Sequence, residues 1–299
     1  MRESQIIVWL IILILIWTLI EQKLLVTKHF IIKSRRLPEE WNHTNFVVLA
    51  DLHNCSFGRD NERLIKKIDK LAPDYILVPG DMVNKRSACC PSNSFSLLES
   101  LAKKYKIYYS YGNHEEKLDS FINEKGNEAD MELQKELYSS WTEYRKELIR
   151  QGIIFLDNQT VCLTKNGAPF YITGISLDLE YFGRHALQEL EPEYLKKAIG
   201  KKKENEFQIL MAHSPFYFKD YMDWGADLVV SGHVHGGMVR LPGIGGILSP
   251  QVKFFPKYHA GLYRRKDKVM LVSRGLGSHS VMPRLFNIPE IISIRLEKE

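Results

Sequence analysis

"DLVVSGHVHGG", Asp227 to Gly237, runs four strand-type residues into His233 and His235, then into two glycines. A buried strand gains nothing by ending on two imidazoles unless something is held there. Residues two apart on an extended chain share a face, so the two histidines can aim at one place. The same pattern recurs elsewhere. "NFVVLADLH" ends on Asp51 and His53, and "DYILVPGD" ends on Asp81. "IYYSYGNHE" ends on Asn113, His114 and Glu115, and "FQILMAH" on His213. Five strand-type runs therefore finish in side chains that can bind a metal.

Helical patterns lie between the early strands. "NERLIKKIDKLAP" has apolar residues at helical spacing and stops at Pro73, and "SFSLLESLAKKYK" is similar. The later half is richer in strands and is punctuated by Gly and Pro between Pro242 and Pro256. Alternation first and many strands after predicts an α/β core carrying two packed sheets. In such folds, sites gather at the carboxyl ends of adjacent parallel strands, so the five clusters should meet at one edge. Carboxylate, amide and imidazole donors without thiolate suit Mn, Fe, Zn, Ni or Co. Asp81, central in the set, is placed to bridge two ions about 3.5–4 Å apart, with a hydroxide held between them for in-line displacement at phosphorus. Taken singly, each motif has a plainer reading: a lone D-x-H or G-H-x-H is a turn, and a lone His213 is a core residue. The signal lies in all five together.

The ordered set D-x-H, G-D, G-N-H-E, H and G-H-x-H resembles the calcineurin-like metallophosphoesterase superfamily. Residues 45–296 are similar to its bacterial membrane-associated branch, with "SGHVHGGMVRLP", "VSRGLGSHSVMPRL" and "NIPEI" as tail motifs. The resemblance implies a four-layer α/β/β/α sandwich of two mixed sheets flanked by helices, and two divalent metal ions. It implies that Asp51, His53 and His235 hold one ion, that Asn113, His213 and His233 hold the second, and that Asp81 bridges. His114 would stabilise developing charge or protonate the leaving oxygen. Glu115, where many relatives carry Asp, would orient His114. The implied reaction is hydrolysis of a phosphoester or pyrophosphate by the bridging hydroxide, without a covalent phosphoenzyme.

The 299 residues carry a net charge of +5. No basic patch interleaved with aromatics appears, so nucleic acid is not an expected partner. The four cysteines form no CxxC pair, which argues against a zinc ribbon or a thioredoxin-like motif and for free thiols. "IIVWLIILILIWTLI", Ile6 to Ile20, is uncharged. It falls short of the roughly 20 residues a span needs, but Ser4, Gln5 and Leu24 to Val26 can lengthen it. No small-residue cleavage site follows. The sequence thus predicts an N-terminal transmembrane anchor over 1–27, a linker over 28–44 and a catalytic domain over 45–299. Lys23, Lys28, Lys33, Arg35 and Arg36 place that domain on the cytoplasmic side by the positive-inside rule. An anchor points to a phosphodiester substrate at the membrane, such as a lipid-linked one. A phosphodiesterase for soluble nucleotides and a metal-retaining tethered scaffold without turnover are the alternatives. Residues 116–151, charged and helical with a break at Gly126, are the candidate substrate-selecting cap. Arg59, Asn61, Arg274 and Arg284 are further phosphate candidates. Cys55 borders the site or packs as a buried thiol, and His259 and His279 read as surface or outer neighbours.

Overall fold

The computed structural model describes residues 3–299 except 86, 88–89, 121–127, 184–185, 187–188, 242, 250–253 and 279–283. Two six-stranded sheets form its centre. The first runs in the order β1 (Val26–Ser34), β14 (Glu290–Lys298), β2 (Asn45–Val48), β3 (Tyr75–Val78), β4 (Lys106–Tyr109) and β5 (Ile154–Phe155). The second runs β12 (Gly261–Arg265), β13 (Lys268–Val272), β9 (Leu228–Ser231), β8 (Gln208–Ala212), β7 (Ala168–Ile175) and β6 (Gln159–Lys165). A small antiparallel ribbon, β10 (Val239–Leu241) with β11 (Gly245–Leu248), stands beside them. Both large sheets are mixed, but β2–β3–β4–β5 and β7–β8–β9–β13 are parallel blocks.

Strand alternation shows how the layers stack. Phe46 and Val48 of β2, Leu77 of β3 and Tyr108 of β4 face a core shared with Ile209 and Met211 of β8, Val230 of β9 and Leu271 of β13. Their neighbours Val47, Ile76, Val78, Ile107 and Tyr109 turn to the opposite face. There they meet Leu64 and Ile68 of α2 (Glu62–Leu71) and Leu97, Leu98 and Leu101 of α3 (Ser92–Ala102). On the second sheet, Leu210, Val229 and Met270 face Leu195 of α6 (Tyr194–Ile199) and Phe218 and Tyr221 of α7 (Phe218–Trp224). Strands β2, β3, β4, β8 and β9 are buried on both faces over nearly their whole length, which is why the sequence reads as continuous apolar runs there. The architecture is the expected mixed α/β arrangement of two sheets with flanking helices.

Three expectations differ from the structure. Residues 28–44, read as a linker, include most of β1, which pairs with β14 over nine residues from Val26↔Glu290 to Ser34↔Lys298. Its charges fooled the pattern because β1 is an edge strand, where only Ile32 is fully buried. The described part of residues 116–151, read as a substrate-selecting cap, is joined to the core. Helix α5 (Glu128–Arg150) buries Leu137, Trp141, Tyr144 and Leu148 in the same core as α2 and α3. The break expected at Gly126 lies outside the described residues.

The third difference concerns the N-terminus. Helix α1 (Glu3–Glu21) contains the expected apolar run, and Ile6, Trp9, Leu13 and Leu19 are among its many exposed apolar side chains. Among the described residues, however, no helix is long and apolar enough to cross a membrane. The uncharged run extends only about 22 Å at 1.5 Å per residue, against about 30 Å of hydrocarbon. Its far end is also tied down, because Glu21 is buried and accepts a hydrogen bond from the Asn287 backbone N–H.

Trp141 stacks on Tyr144, meets Tyr111 edge-to-face and donates its indole N–H to Asp119 Oδ1 at 2.9 Å. Trp141→Ala should lower the unfolding free energy by about 3–5 kcal/mol in a urea titration. An unchanged midpoint would show α5 to be an appendage after all.

Candidate metal centre

Each cluster predicted from sequence sits where its strand gives out. Asp51 and His53 follow β2, Asp81 follows β3, and Asn113 to Glu115 open α4 (Asn113–Asp119) just after β4. His213 follows β8, and His233 and His235 follow β9. The parallel blocks bring the first three clusters to the carboxyl edge of the first sheet and the last two to that of the second, so the clusters meet across two sheets instead of along one edge. Asp51, His53, Asp81, His213 and His235 are almost completely buried, and His233 is 9% exposed.

The ligand atoms converge. His53 Nε2 lies 3.2 Å from His235 Nε2, and His235 Nε2 lies 3.7 Å from Asp51 Oδ1. His213 Nε2 lies 3.1 Å from Asp81 Oδ2. Asp81 Oδ2 is also 3.8 Å from His53 Nε2 and 4.0 Å from His114 Nε2, so Asp81 is the hub. Two triads, Asp51–His53–His235 and Asp81–His213–His233, each offer three ligand atoms within 4.8 Å of one another. The backbone N–H of His233 donates to Asp51 Oδ1 at 2.9 Å, which ties the two sheet edges together.

Backbone geometry makes this convergence possible. Asp51, His53, Asp81, His233 and His235 all have φ between 49° and 71°. Non-glycine residues in that region cost of order 1–3 kcal/mol each and persist where the surroundings impose them. Nothing in the sequence marks them, because glycine is the usual occupant. Gly80 and Gly112 do carry a readable signal. A β-carbon on Gly80 would strike the Gly112 backbone, and one on Gly112 would strike the Asp81 carboxylate. The two loops can press together only without side chains there.

Outer partners fix the imidazoles. His213 Nδ1–H donates to the Pro79 carbonyl at 2.7 Å, and His235 Nδ1–H donates to the Gly277 carbonyl at 3.1 Å. Each bond fixes the ring with Nε2 turned to the site, as a carbonyl behind a metal-binding histidine does. Asp51 Oδ2 and Asn113 Oδ1 are buried acceptors with no hydrogen-bond donor. Orphaned oxygens in a nest of imidazoles fit a divalent cation, and the all-O/N donor set suits the first-row metals.

Glu115 does a different job from the one expected. It is fully buried, and five donors reach its carboxylate: the N–H groups of Asp81, Met82, Val83 and Gly112, and the Tyr109 hydroxyl at 2.7 Å. It fastens the Asp81 loop to the end of β4, which makes it a positioning residue for Asp81 rather than a group orienting His114.

Other sequence candidates fall away from the centre. Arg284 is fully buried and donates to the carbonyls of Asn287, Gly277 and Arg274, so it braces the tail. Asn61 accepts from Phe57 N–H and donates to the Asn93 carbonyl, which makes a turn. The side chain of Arg59 is 94% exposed beside Asp60. Cys55 is a free thiol near Gly277. His259 contacts Arg240, and His279 lies outside the described residues. Sequence reasoning missed Phe182 and Phe216, whose rings stand 5.2 and 6.1 Å from His233 and wall the site. It also missed Asn287, whose amide donates to the His235 carbonyl at 2.6 Å. No spacing rule could have found the aromatic pair.

Comparison with known proteins agrees with this geometry. Residues 44–237 match the family model described as calcineurin-like phosphoesterase. The chain belongs to that family. It is 25% identical over 283 residues to the uncharacterized metallophosphoesterase YkuE of Bacillus subtilis, covering 93% of this chain and 87% of the relative. It is 26% identical to the phosphodiesterase YaeI of Escherichia coli, covering 84% of this chain and 81% of the relative. It is 22% identical to the UDP-2,3-diacylglucosamine pyrophosphatase LpxG of Chlamydia muridarum, covering 87% and 86%. The protein is therefore a metal-dependent phosphoric ester hydrolase.

Charge in the site follows from burial and neighbours. Burial favours the neutral acid at Asp81, yet the His213, His114 and His53 imidazoles outweigh it and hold the carboxyl well below its usual range. Burial pulls the His213 imidazole down, but the facing Asp81 and Asp51 carboxylates win and raise it to about 9. Burial, with Asp81 nearby, pushes both Asp51 and Glu115 upward. A metal taken up through His213 would have to displace the proton held there, so its uptake would release one and its affinity would rise with pH up to about 9. Asp51 adds in the same direction. Calorimetry of Mn uptake in buffers of different ionisation enthalpy should show this release. Uptake at neutral pH with no proton released would remove His213 from the ligand set.

Proposed function

We propose that this phosphoesterase holds two divalent ions at the strand-end cluster and hydrolyses a phosphodiester or pyrophosphate at a lipid surface, with a lipid-linked molecule as substrate. The observation that carries the reading is Asp81, whose Oδ2 lies 3.1 Å from His213 Nε2 in its own triad and 3.8 Å from His53 Nε2 in the other. Asp51, His53 and His235 would hold one ion, Asn113, His213 and His233 would hold the other, and Asp81 would serve both. The ions, drawn from Mn, Fe, Zn, Ni and Co, supply Lewis acidity at phosphorus and lower the pKa of water.

The chain's own residues do the rest. Phe182 and Phe216 exclude water from the His233 side. His114 stands at the accessible rim, its side chain 18% exposed, with its backbone N–H donating to Asp81 Oδ1 at 3.0 Å. Burial pushes its imidazole down, so it is uncharged at neutral pH and offers an N–H to a phosphoryl or leaving-group oxygen. Water rather than a side chain attacks phosphorus, and the Glu115 knot keeps Asp81 fixed while it does so.

Two findings support the lipid surface. Helix α1 exposes apolar side chains all round, including Trp9 at 57% and Leu19 at 67%, far beyond what water tolerates in one patch. Being short for a span, it suits insertion into one leaflet better than crossing. The LpxG relative is named for a diacylated nucleotide sugar.

The test uses the full chain with bis-p-nitrophenyl phosphate, p-nitrophenyl phosphate and a lipid-linked pyrophosphate across these metals. Asp81→Asn should lose bound metal and turnover together. His114→Ala should keep both ions while kcat falls about 10²–10⁴-fold. An Asp81→Asn enzyme that still turns over would contradict the bridge, and a soluble diester preferred over the lipid-linked one would contradict the substrate class.

A further inference from the structure

Behind the metal centre lies a second cleft of about 450 Å³, lined by Arg240, Leu241, Gly243, Ile244, Gly245, Arg274 and Phe286. Its back wall is the chain just after His235. Arg240 Nη1 donates to the Gly236 carbonyl at 2.6 Å, and the Arg274 side chain packs where a Gly236 β-carbon would point. Glu290 pairs with Arg274 Nε at 3.1 Å and also accepts the Arg274 backbone N–H at 3.0 Å, so that carboxylate is taken up by Arg274. Arg240 has no ion pair with a carboxylate among the described residues, and its nearest partner besides the carbonyl is His259 Nδ1 at 3.1 Å. Burial and the neighbouring Arg274 guanidinium push Arg240 down from its ordinary value, a sign of cations held together without enough anion.

The rim of this cationic cleft is apolar and exposed. Leu241, Ile244 and Phe286 line it at 40, 61 and 50% exposure. The aromatic side chains of Phe254 and Phe255, at 70 and 64%, continue the surface past β11. The same rim adjoins α1, because Glu21 accepts backbone hydrogen bonds from Phe286 and Asn287. The apolar surface of α1 and that of the cleft therefore meet at one end of the molecule.

We propose that Arg240 and Arg274 hold the phosphate of an anionic phospholipid, with its acyl part lying over Leu241, Ile244 and Phe286. The assignment rests on the lipid-surface reading of α1 and goes beyond it by naming a headgroup site distinct from the metal centre. Charge complementarity selects the phosphate, and continuity with α1 selects a lipid over a soluble anion. Bound there, the lipid would set the molecule's tilt on the surface.

The experiment is flotation of the full chain with phosphatidylcholine vesicles, with and without phosphatidic acid. The wild type should bind the anionic vesicles more tightly. Arg240→Gln, which keeps a donor for Gly236, should lose about fivefold of that gain, the equivalent of ~1 kcal/mol per cation. Ile244→Asp, on an exposed turn, should lose it as well. Metal content and thermal unfolding confirm that the variants are folded. Equal wild-type binding to both vesicles overturns the headgroup site alone, since neutral vesicles report on α1. Absence of binding to either overturns the lipid-surface reading with it. Displacement of the protein from anionic vesicles by free glycerol phosphate would assign the cleft to a soluble anion instead.

Discussion

A carboxylate with no access to water is expensive unless charge and hydrogen bonds surround it. Asp81 is such a group, and Asp51 and Glu115 are buried close by, so three acids share one dry pocket. Much of the local architecture answers to that constraint. His53, His114 and His213 converge on Asp81, Glu115 satisfies the N–H groups of the Asp81 loop, and Gly80 and Gly112 let that loop close. Imidazoles reduce the repulsion between the acids, but they also crowd their own Nε2 atoms, with His53 and His235 only 3.2 Å apart. Two imidazole nitrogens at that spacing share either a proton or a cation, and the family's divalent metals fit that place.

The cluster of Asp, Asn and His side chains was legible because it sits where strands end. An apolar run closing on Asp, Asn or His is visible without coordinates, and the order of five such runs narrowed the family. Glu115 was legible as a site residue but not in its role, since a carboxylate that gathers backbone N–H groups looks the same in sequence as one that orients a histidine. The Pro79 and Gly277 carbonyls were invisible, because any residue supplies a carbonyl. The left-handed backbone at Asp51, His53 and Asp81 was equally hidden.

Two fold-level misreadings have a common cause: charge was taken for exposure. Strand β1 carries Lys28, His29 and Lys33, yet it completes the first sheet by pairing with β14 some 260 residues away, a backbone interaction that local pattern cannot reveal. Helix α5 is rich in Glu and Lys, yet Leu137, Trp141, Tyr144 and Leu148 recur on one face. That spacing was present in the sequence and was masked by composition. At α1 the apolar run was plain to see, but it is too short to cross a membrane, and the docking of Glu21 against the tail could not be read from the sequence.

The claim on which the rest stands is that one strand-end cluster holds a pair of ions with Asp81 between them. Anomalous scattering from Mn-soaked crystals tests it most directly. The account predicts two peaks about 3.5–4 Å apart, one among Asp51, His53 and His235, the other among Asn113, His213 and His233, with Asp81 touching both. A single peak, or a pair that leaves Asp81 uncoordinated, would contradict it.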